Sequence, residues 1–320
     1  MEPLAALVGL LRPRAVLPKI VRGAGRWGVR YAGVPSAGFG LVLAGECYVS
    51  ADEAPPVHLV KGDFVLLQAA ASFAIASDRD VDAVPMDAAP SAEAPTEVRH
   101  GDADGEPTVE VMGGSFSLDP TNIAFLGALL PPLVHVSGAD LAGRRLAHTI
   151  ELITDEVRAE RAGRQLIVER LMEVLLVEAL RFRSDHTRAI SRPGLLEGLA
   201  DPHVGRALRR LHGAPAQPWT VAELARDAGL SRSTFYDRFT GRVGMPPMEY
   251  LIQWRMAVAK DLLQRKALTI EQVAMAVGYQ SGSAFSTAFR RYAGIPPSRF
   301  AEEGEIRTAV SPPPSGAVAA

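Results

Sequence analysis

The sequence predicts an α+β protein with a β-rich N-terminal domain, a helical hairpin, and an all-α C-terminal module of two helix-turn-helix subdomains. Three observations carry this. Residues 38–119 hold short apolar runs separated by Gly, Pro and Asp turns, a strand pattern. From residue 141 the apolar period lengthens to that of a helix. Residues 219–250 are then written a second time at 268–300, and a fixed-spacing repeat marks a repeated structural unit. The expected divisions are 1–120, 121–200, 201–305 and a disordered tail at 306–320.

The chain has 320 residues, enough for two domains with cores of their own, and 48% of them are hydrophobic. Its apolar runs are too short or too interrupted by charge to span a bilayer. The N-terminus, MEPLAALVGLLRPRAVLPKI, lacks a leading positive region and a small-residue cleavage site. A cytoplasmic protein is expected. The single cysteine, Cys47, excludes an intramolecular disulfide and suits a reducing compartment.

After a short N-terminal helix or arm, Gly38–Ser50 alternates as a half-buried strand, with Leu41, Leu43, Cys47 and Val49 on one face and Val42, Glu46 and Tyr48 on the other. Pro55–Gln68 gives two short strands around a Lys61-Gly62-Asp63 turn. Several such strands predict a sandwich or barrel. Residues 85–107, rich in Pro, Ala, Asp and Glu, predict a long mobile loop that includes His100. Thr108–Asp119 returns as a strand, with a bulge or bend at Gly113-Gly114.

Leu141–Arg161 places Leu146, Ile150, Ile153 and Val157 on one stripe, with charge opposite. Residues 165–182 are apolar around most of the circumference, which requires cover on more than one side. The two helices predict an antiparallel hairpin turning at Ala162-Gly163. Residues 184–200 connect to Asp201, which caps the first helix of the C-terminal module.

Within the repeat, Thr220 matches Thr269, Glu223 matches Gln272, and Gly229 matches Gly278. After one inserted residue, Phe235 matches Phe285, Phe239 matches Phe289, Pro246-Pro247 match Pro296-Pro297, and Tyr250 matches Phe300. Thr with Glu or Gln three residues on is a capping box. The glycines end the first helix in the left-handed region. Ser231 or Gln280 opens the second, where the paired phenylalanines point inward and leave the intervening positions outside. Such a helix can enter a DNA major groove. Residues 201–300 carry 14 Lys and Arg against 7 Asp and Glu, a net +7, whereas the whole chain is −2. A basic module on an acidic body is the footprint of nucleic-acid binding.

The spacing, the Pro-Pro close of each unit and the long helix between them resemble the AraC-type transcriptional regulators, over about 100 residues. The resemblance implies two helix-turn-helix subdomains joined by one linker helix, Pro247–Arg265, with recognition helices about one DNA turn, ~34 Å, apart. Outward positions on the first recognition helix are Arg232, Ser233, Tyr236 and Asp237; those on the second are Gly282, Ser283, Ser286 and Thr287. These are the expected base-facing residues, and Asp237 can accept from a cytosine amino group. Thr220, Ser231, Arg238, Arg242, Thr269, Arg290 and Arg291 are the expected phosphate contacts. An alternative for Asp237 is a surface ion pair with Arg238 or Arg242.

The pattern LVLAGECYV…VHLVKGDFVLL resembles the cupin-type sensor domain of many such regulators. It implies a β-barrel binding a small-molecule effector, with Leu41, Leu43, Cys47, Val49, Phe64 and Phe73 as pocket candidates. Enzymatic cupins hold a metal with histidines. Here Gln68, Ala70 and Phe73 occupy the motif's Pro, Gly and His positions, and Gly40 stands where a strand histidine is common. No metal, no other cofactor and no catalytic residue are therefore expected, which disfavours an enzyme fused to a DNA-binding module. The resemblance also implies double-stranded promoter DNA, RNA polymerase (hence activation) and a second copy of the chain as partners, the hairpin being the dimerising element. A redox-responsive regulator acting through Cys47 is the alternative within the same class.

Overall fold

The computed structural model describes residues 2–31, 37–51, 55–68, 72–86, 97–119, 132–159, 161–181 and 193–302, with isolated positions between 121 and 130. The elements run α1 (Pro3–Leu11), β1 (Arg14–Ala24), β2 (Gly28–Tyr31), β3 (Ala37–Ala44), β4 (Glu46–Ala51), β5 (Val57–Val60), β6 (Phe64–Leu67), β7 (Phe73–Ala76), β8 (Val84–Met86), β9 (Glu97–Gly101), β10 (Val109–Ser117) and β11 (Leu133–Val136). Helices follow: α2 (Leu141–Ala159), α3 (Arg164–Arg181), α4 (Leu195–Ala200), α5 (Pro202–Gly213), α6 (Val221–Ala228), α7 (Arg232–Val243), α8 (Pro247–Arg265), α9 (Ile270–Ala276) and α10 (Gly282–Ala293). The chain divides into two compact units, Leu4–Glu197 and the residues from Gly198 onward together with those before Leu4.

The N-terminal unit contains two sheets rather than the expected closed barrel. One has the order β11-β6-β3-β10-β1-β9 and the other β5-β4-β7-β2-β8. Neighbours are antiparallel except for the two edge pairings, β1 with β9 and β2 with β8, which are parallel. The expected strand over Gly38–Ser50 is broken at Gly45, whose φ is 72°. A side chain there would run into the Thr108 carbonyl, so only glycine permits the turn. The chain crosses there from the six-stranded sheet (β3) to the five-stranded one (β4).

Breaking the strand also resets which side chains share a face. Val42, not Leu41 or Leu43, joins Cys47 and Val49 in the core between the sheets, with Val29, Leu59, Val65, Val109, Val111 and Leu133. Leu41 pairs in register with Phe64, on the opposite face of β3 and β6. There the Phe39 ring lies 6.3 Å from Phe64 and 5.3 Å from Phe116. The Thr154 hydroxyl of α2 lies 3.2 Å from the Met112 sulfur.

Residues 85–107 are not one loop. They include the end of β8 and all of β9, and His100 is buried on β9, its ring stacked 5.6 Å from Trp27. Residues 87–96 lie outside the described residues. β10 is continuous through Gly113-Gly114. The register slips by one residue on the β1 side, between Val16 and Lys19, and Gly114 leaves room for the Phe39 ring.

The hairpin forms as the periodicity predicts. Leu146, Ile150 and Ile153 are buried on α2, and the turn passes through Gly163 at φ 84°. On α3, Val168, Met172, Leu175, Leu176, Ala179 and Leu180 are buried. The Val157 side chain and the connection at 184–192 lie outside the described residues, as does the tail expected at 306–320.

Candidate nucleic-acid interface

In the first helix-turn-helix, α6 is opened by Thr220. Its Oγ1 accepts from the Glu223 amide at 3.2 Å, and Glu223 Oε2 accepts from the Thr220 amide at 2.9 Å. This capping box satisfies two amides that the first turn leaves without partners. The helix stops at Gly229, φ 68°. Ser231 then caps α7, accepting from the Thr234 amide. On α7 the Phe235 and Phe239 rings lie 5.7 Å apart at 52°, and Tyr250 meets Phe239 edge-on at 5.8 Å.

The second copy repeats this geometry closely. Thr269 and Gln272 form the same box at 2.8 and 3.2 Å. Phe285 and Phe289 lie 5.5 Å apart at 53°, and Phe300 meets Phe289 edge-on at 5.4 Å. The inserted residue falls in the turn: α9 closes at Val277, Gly278 takes the left-handed conformation at φ 83°, and Ser281, not Gln280, caps α10.

The linker helix α8 belongs to both cores. Its first half carries Tyr250 and Trp254. Trp254 stacks on His212 at 3.7 Å, and the Tyr250 hydroxyl lies 2.6 Å from His212 Nε2. Burial pushes the His212 imidazole down to about 3, so it is neutral at ordinary pH. The second half carries Met256, Ala259 and Leu263 into the core around Val273, Phe285 and Phe289.

The exposed face of α7 contains Arg232, Ser233, Tyr236 and Asp237. Arg238 and Arg242 turn back toward the start of α5. Arg238 Nε lies 2.7 Å from Asp201 Oδ2 and Arg242 Nε 3.6 Å from it, while Asp201 Oδ1 accepts from the His203 and Val204 amides. Asp201 therefore does two things that the sequence showed only in part: it caps α5 and ties that helix to α7. These arginines face Asp201, and no ion pair to Asp237 is found among the described residues. Desolvation raises the Asp201 carboxyl, but the Val204 amide, Arg238 and the His203 amide outweigh it and hold it below its ordinary value.

On α10, Ser283 and Thr287 are exposed and Ser286 is half-buried, with Arg290 and Arg291 exposed at the helix end. Gly282 does not join the outward face. It is buried, its amide donates to Glu271 Oε2 at 2.8 Å, and a side chain there would strike that carboxylate. Thr287 Oγ1 donates to the Ser283 carbonyl at 3.1 Å, which turns the hydroxyl inward along its own helix. Thr220, Ser231 and Thr269 are exposed at helix N-termini, where backbone amides and the helix dipole favour an anion.

In the N-terminal unit the six pocket candidates do not converge. Cys47 and Val49 are in the core between the sheets and Phe73 packs at its border, Leu41 and Phe64 lie on the far face of the six-stranded sheet, and Leu43 is half-buried. Burial, with Asp63 and Glu46 adding to it, pushes the Cys47 thiol up to about 12. A thiol so held is protonated and unreactive, which counts against the redox alternative. A side chain at Gly40 would face Val65 and Val111, in apolar core. The histidines are dispersed: His58 lies 3.1 Å from Glu46, His135 lies 3.0 Å from Asp63, and His100 stacks on Trp27. Asp63, buried in the turn, also accepts from the Val60 and Gly138 amides. Among the described residues no group of three or more His, Cys, Asp or Glu could hold a metal ion, and no helix is long and apolar enough to cross a membrane.

Two matched helix-turn-helix subdomains on a shared linker helix, following a two-sheet domain, define a DNA-binding regulator of the helix-turn-helix class. Residues 2–183 match the Cupin_6 cupin family and residues 224–303 a helix-turn-helix domain family. A protein named as an AraC-like transcription regulator from Streptomyces lividans is 35% identical over 302 residues, covering 94% of this chain and 98% of its own length. Another from Streptomyces antibioticus is 36% identical over 94% of this chain and 98% of its own. Among solved structures, the DNA-binding domain of AdpA in complex with a target DNA is 29% identical over 35% of this chain and 100% of that one, with a TM-score of 0.32. The chain belongs to the AraC-like transcription regulators with an N-terminal cupin domain.

Proposed function

We propose that this protein is an effector-controlled regulator that reads promoter DNA with α7 and α10 in successive major-groove segments. The observation that carries it is the close geometric match of the two units. The same phenylalanine pair, the same edge-on aromatic and the same Ser cap set each helix on its core, so each turns an equivalent face outward. On α7 that face holds Arg232, Ser233, Tyr236 and Asp237, whose reach and donor-acceptor variety suit base edges. On α10 it holds Ser283, Ser286 and Thr287, which give shape and methyl contact, while Arg290 and Arg291 meet phosphates. Base discrimination therefore rests mainly on the first half.

Footprinting on the protein's own upstream region, with and without candidate metabolites, tests this. Two protected segments about one turn (~34 Å) apart on one face of the duplex are expected, with protection altered by an effector. Absence of protection at low ionic strength would overturn the proposal. So would a greater loss of affinity from permuting the second half-site than the first, as regards the division of labour.

The hairpin supplies a surface for a second copy of the chain. Leu152, Leu166, Ile167 and Val174 are exposed there, Ile167 and Val174 one heptad apart at 43% and 48% exposure. Apolar side chains repeated at that spacing form a helix-pairing stripe. Val174→Glu is expected to halve the mass measured by light scattering; a wild-type monomer at micromolar concentration would exclude the dimer.

A further inference from the structure

One charged residue of the linker helix is used by neither recognition face. Arg255 projects from the middle of α8, between the half that enters the first core and the half that enters the second. Its Nε donates to the Pro215 carbonyl at 2.8 Å and its Nη2 to the Gln217 carbonyl at 2.8 Å. Both acceptors lie in the loop between α5 and α6, which belongs to the first subdomain. That loop is itself braced: the Trp219 indole donates to the Ala214 carbonyl at 2.9 Å, as does the Gln217 amide at 3.2 Å.

The second subdomain closes onto the same place. Gly278, in the turn before α10, sits so near that a side chain on it would come within 2.7 Å of both the Ala216 carbonyl and Arg255 Nη2. The adjoining Tyr279 lies within electrostatic reach of the guanidinium. Gly278 is thus fixed twice, by its left-handed φ of 83° and by the approach of the first subdomain's backbone. Its counterpart Gly229 has open space where a side chain would go. The sequence repeat makes these glycines equivalent; the fold gives only the second a seam to close.

We propose that Arg255 is the positioning residue that sets the register between the two recognition helices, and so the spacing of the two DNA segments the protein accepts. A helix joining two subdomains fixes their separation but resists twisting and bending only through what packs beside it. Here one guanidinium holds the α5–α6 loop, and the turn leading into α10 rests against both. The proposal rests on the two-segment reading of DNA given above. It concerns geometry, not contact, since Arg255 faces the seam.

The test uses the full-length protein and a duplex enriched from a randomised library by wild type, with variants carrying one or two base pairs inserted between the protected segments. Wild type is expected to lose tenfold or more on insertion. Arg255→Ala, which removes two charge-assisted hydrogen bonds, is expected to bind the original spacing about tenfold more weakly. It should bind the inserted duplexes as wild type does, so that the preference for spacing collapses. A merely structural role would weaken all duplexes in proportion and leave the ratio intact, and a ratio preserved within twofold overturns the proposal. Should Arg255→Ala not fold, Gly278→Ala attacks the seam from the other side, and its spacing ratio decides in the same way. If wild type enriches no duplex, the DNA-reading function fails and this proposal with it; enrichment of duplexes with one protected segment fails the two-segment arrangement alone.

Discussion

Asp201 offers a measurable link between local capping and the placing of a recognition helix. Its side chain is only 2% exposed and serves as N-cap of α5 and as acceptor for Arg238, which is 38% exposed. Removing the cap costs about 1 kcal/mol. Losing a charged hydrogen bond costs about 1.5 kcal/mol, the low end because Arg238 is partly screened by water. Asp201→Ala is therefore expected to destabilise the C-terminal unit by roughly 2.5 kcal/mol. Asp201→Asn keeps a cap acceptor and loses only the charged bond, so it should cost about 1.5 kcal/mol. Urea unfolding in a Trp27→Phe background isolates the signal, since the other two of the three tryptophans, Trp219 and Trp254, lie in this unit. The folded carboxyl is held below its unfolded value of about 3.9, so its contribution is present above that pH and lost as pH falls through the folded value. Wild type and Asp201→Asn should then converge in acid. A difference that persists unchanged at low pH, or a coupling below about 0.3 kcal/mol in a double-mutant cycle with Arg238→Met, would refute the tie between these helices.

Three further outcomes are expected. His212 is buried neutral, with a folded value of about 3 against about 6.5 unfolded, so its stabilisation is complete above 6.5 and declines by about 1.4 kcal/mol per pH unit below it; His212→Phe should flatten that slope in pH-dependent urea melts. Arg290→Ala should weaken binding to all duplexes alike and reduce the slope of log K against log salt by about 0.9, as measured by titration at several salt concentrations. Replacing Tyr236 or Asp237 by Ala should cost about 1–3 kcal/mol and relax selection at one or two bases in a library enrichment.

Much of the C-terminal module is legible in one dimension because its determinants are local. A capping box needs residues three apart, and an inward aromatic pair needs residues four apart. Thr220–Glu223 and Phe235–Phe239 therefore announce themselves, and the second copy confirms them. The hairpin is legible for the same reason: its period is written along each helix. In the β-rich domain the determinants are not local. Alternation over Gly38–Ser50 could not reveal that Gly45 turns the chain into a second sheet, because what forbids a side chain there is the Thr108 carbonyl, 63 positions away. That turn reversed the assignment of Leu41 and Val42 and scattered the pocket candidates.

The residues facing outward on α7 and α10 were fixed by sequence, since helical spacing and inward anchors leave them nowhere else to go; Gly282, at the helix start, escaped that logic by meeting Glu271. Tertiary structure alone decided which arginines are occupied. Arg238 and Arg232 look alike in a sequence, yet one faces a buried carboxylate and the other faces solvent. It also separated Arg255 from the other basic residues of the module. Its acceptors lie 38 and 40 positions earlier, and a hydrogen bond to a backbone carbonyl leaves no mark on residue type.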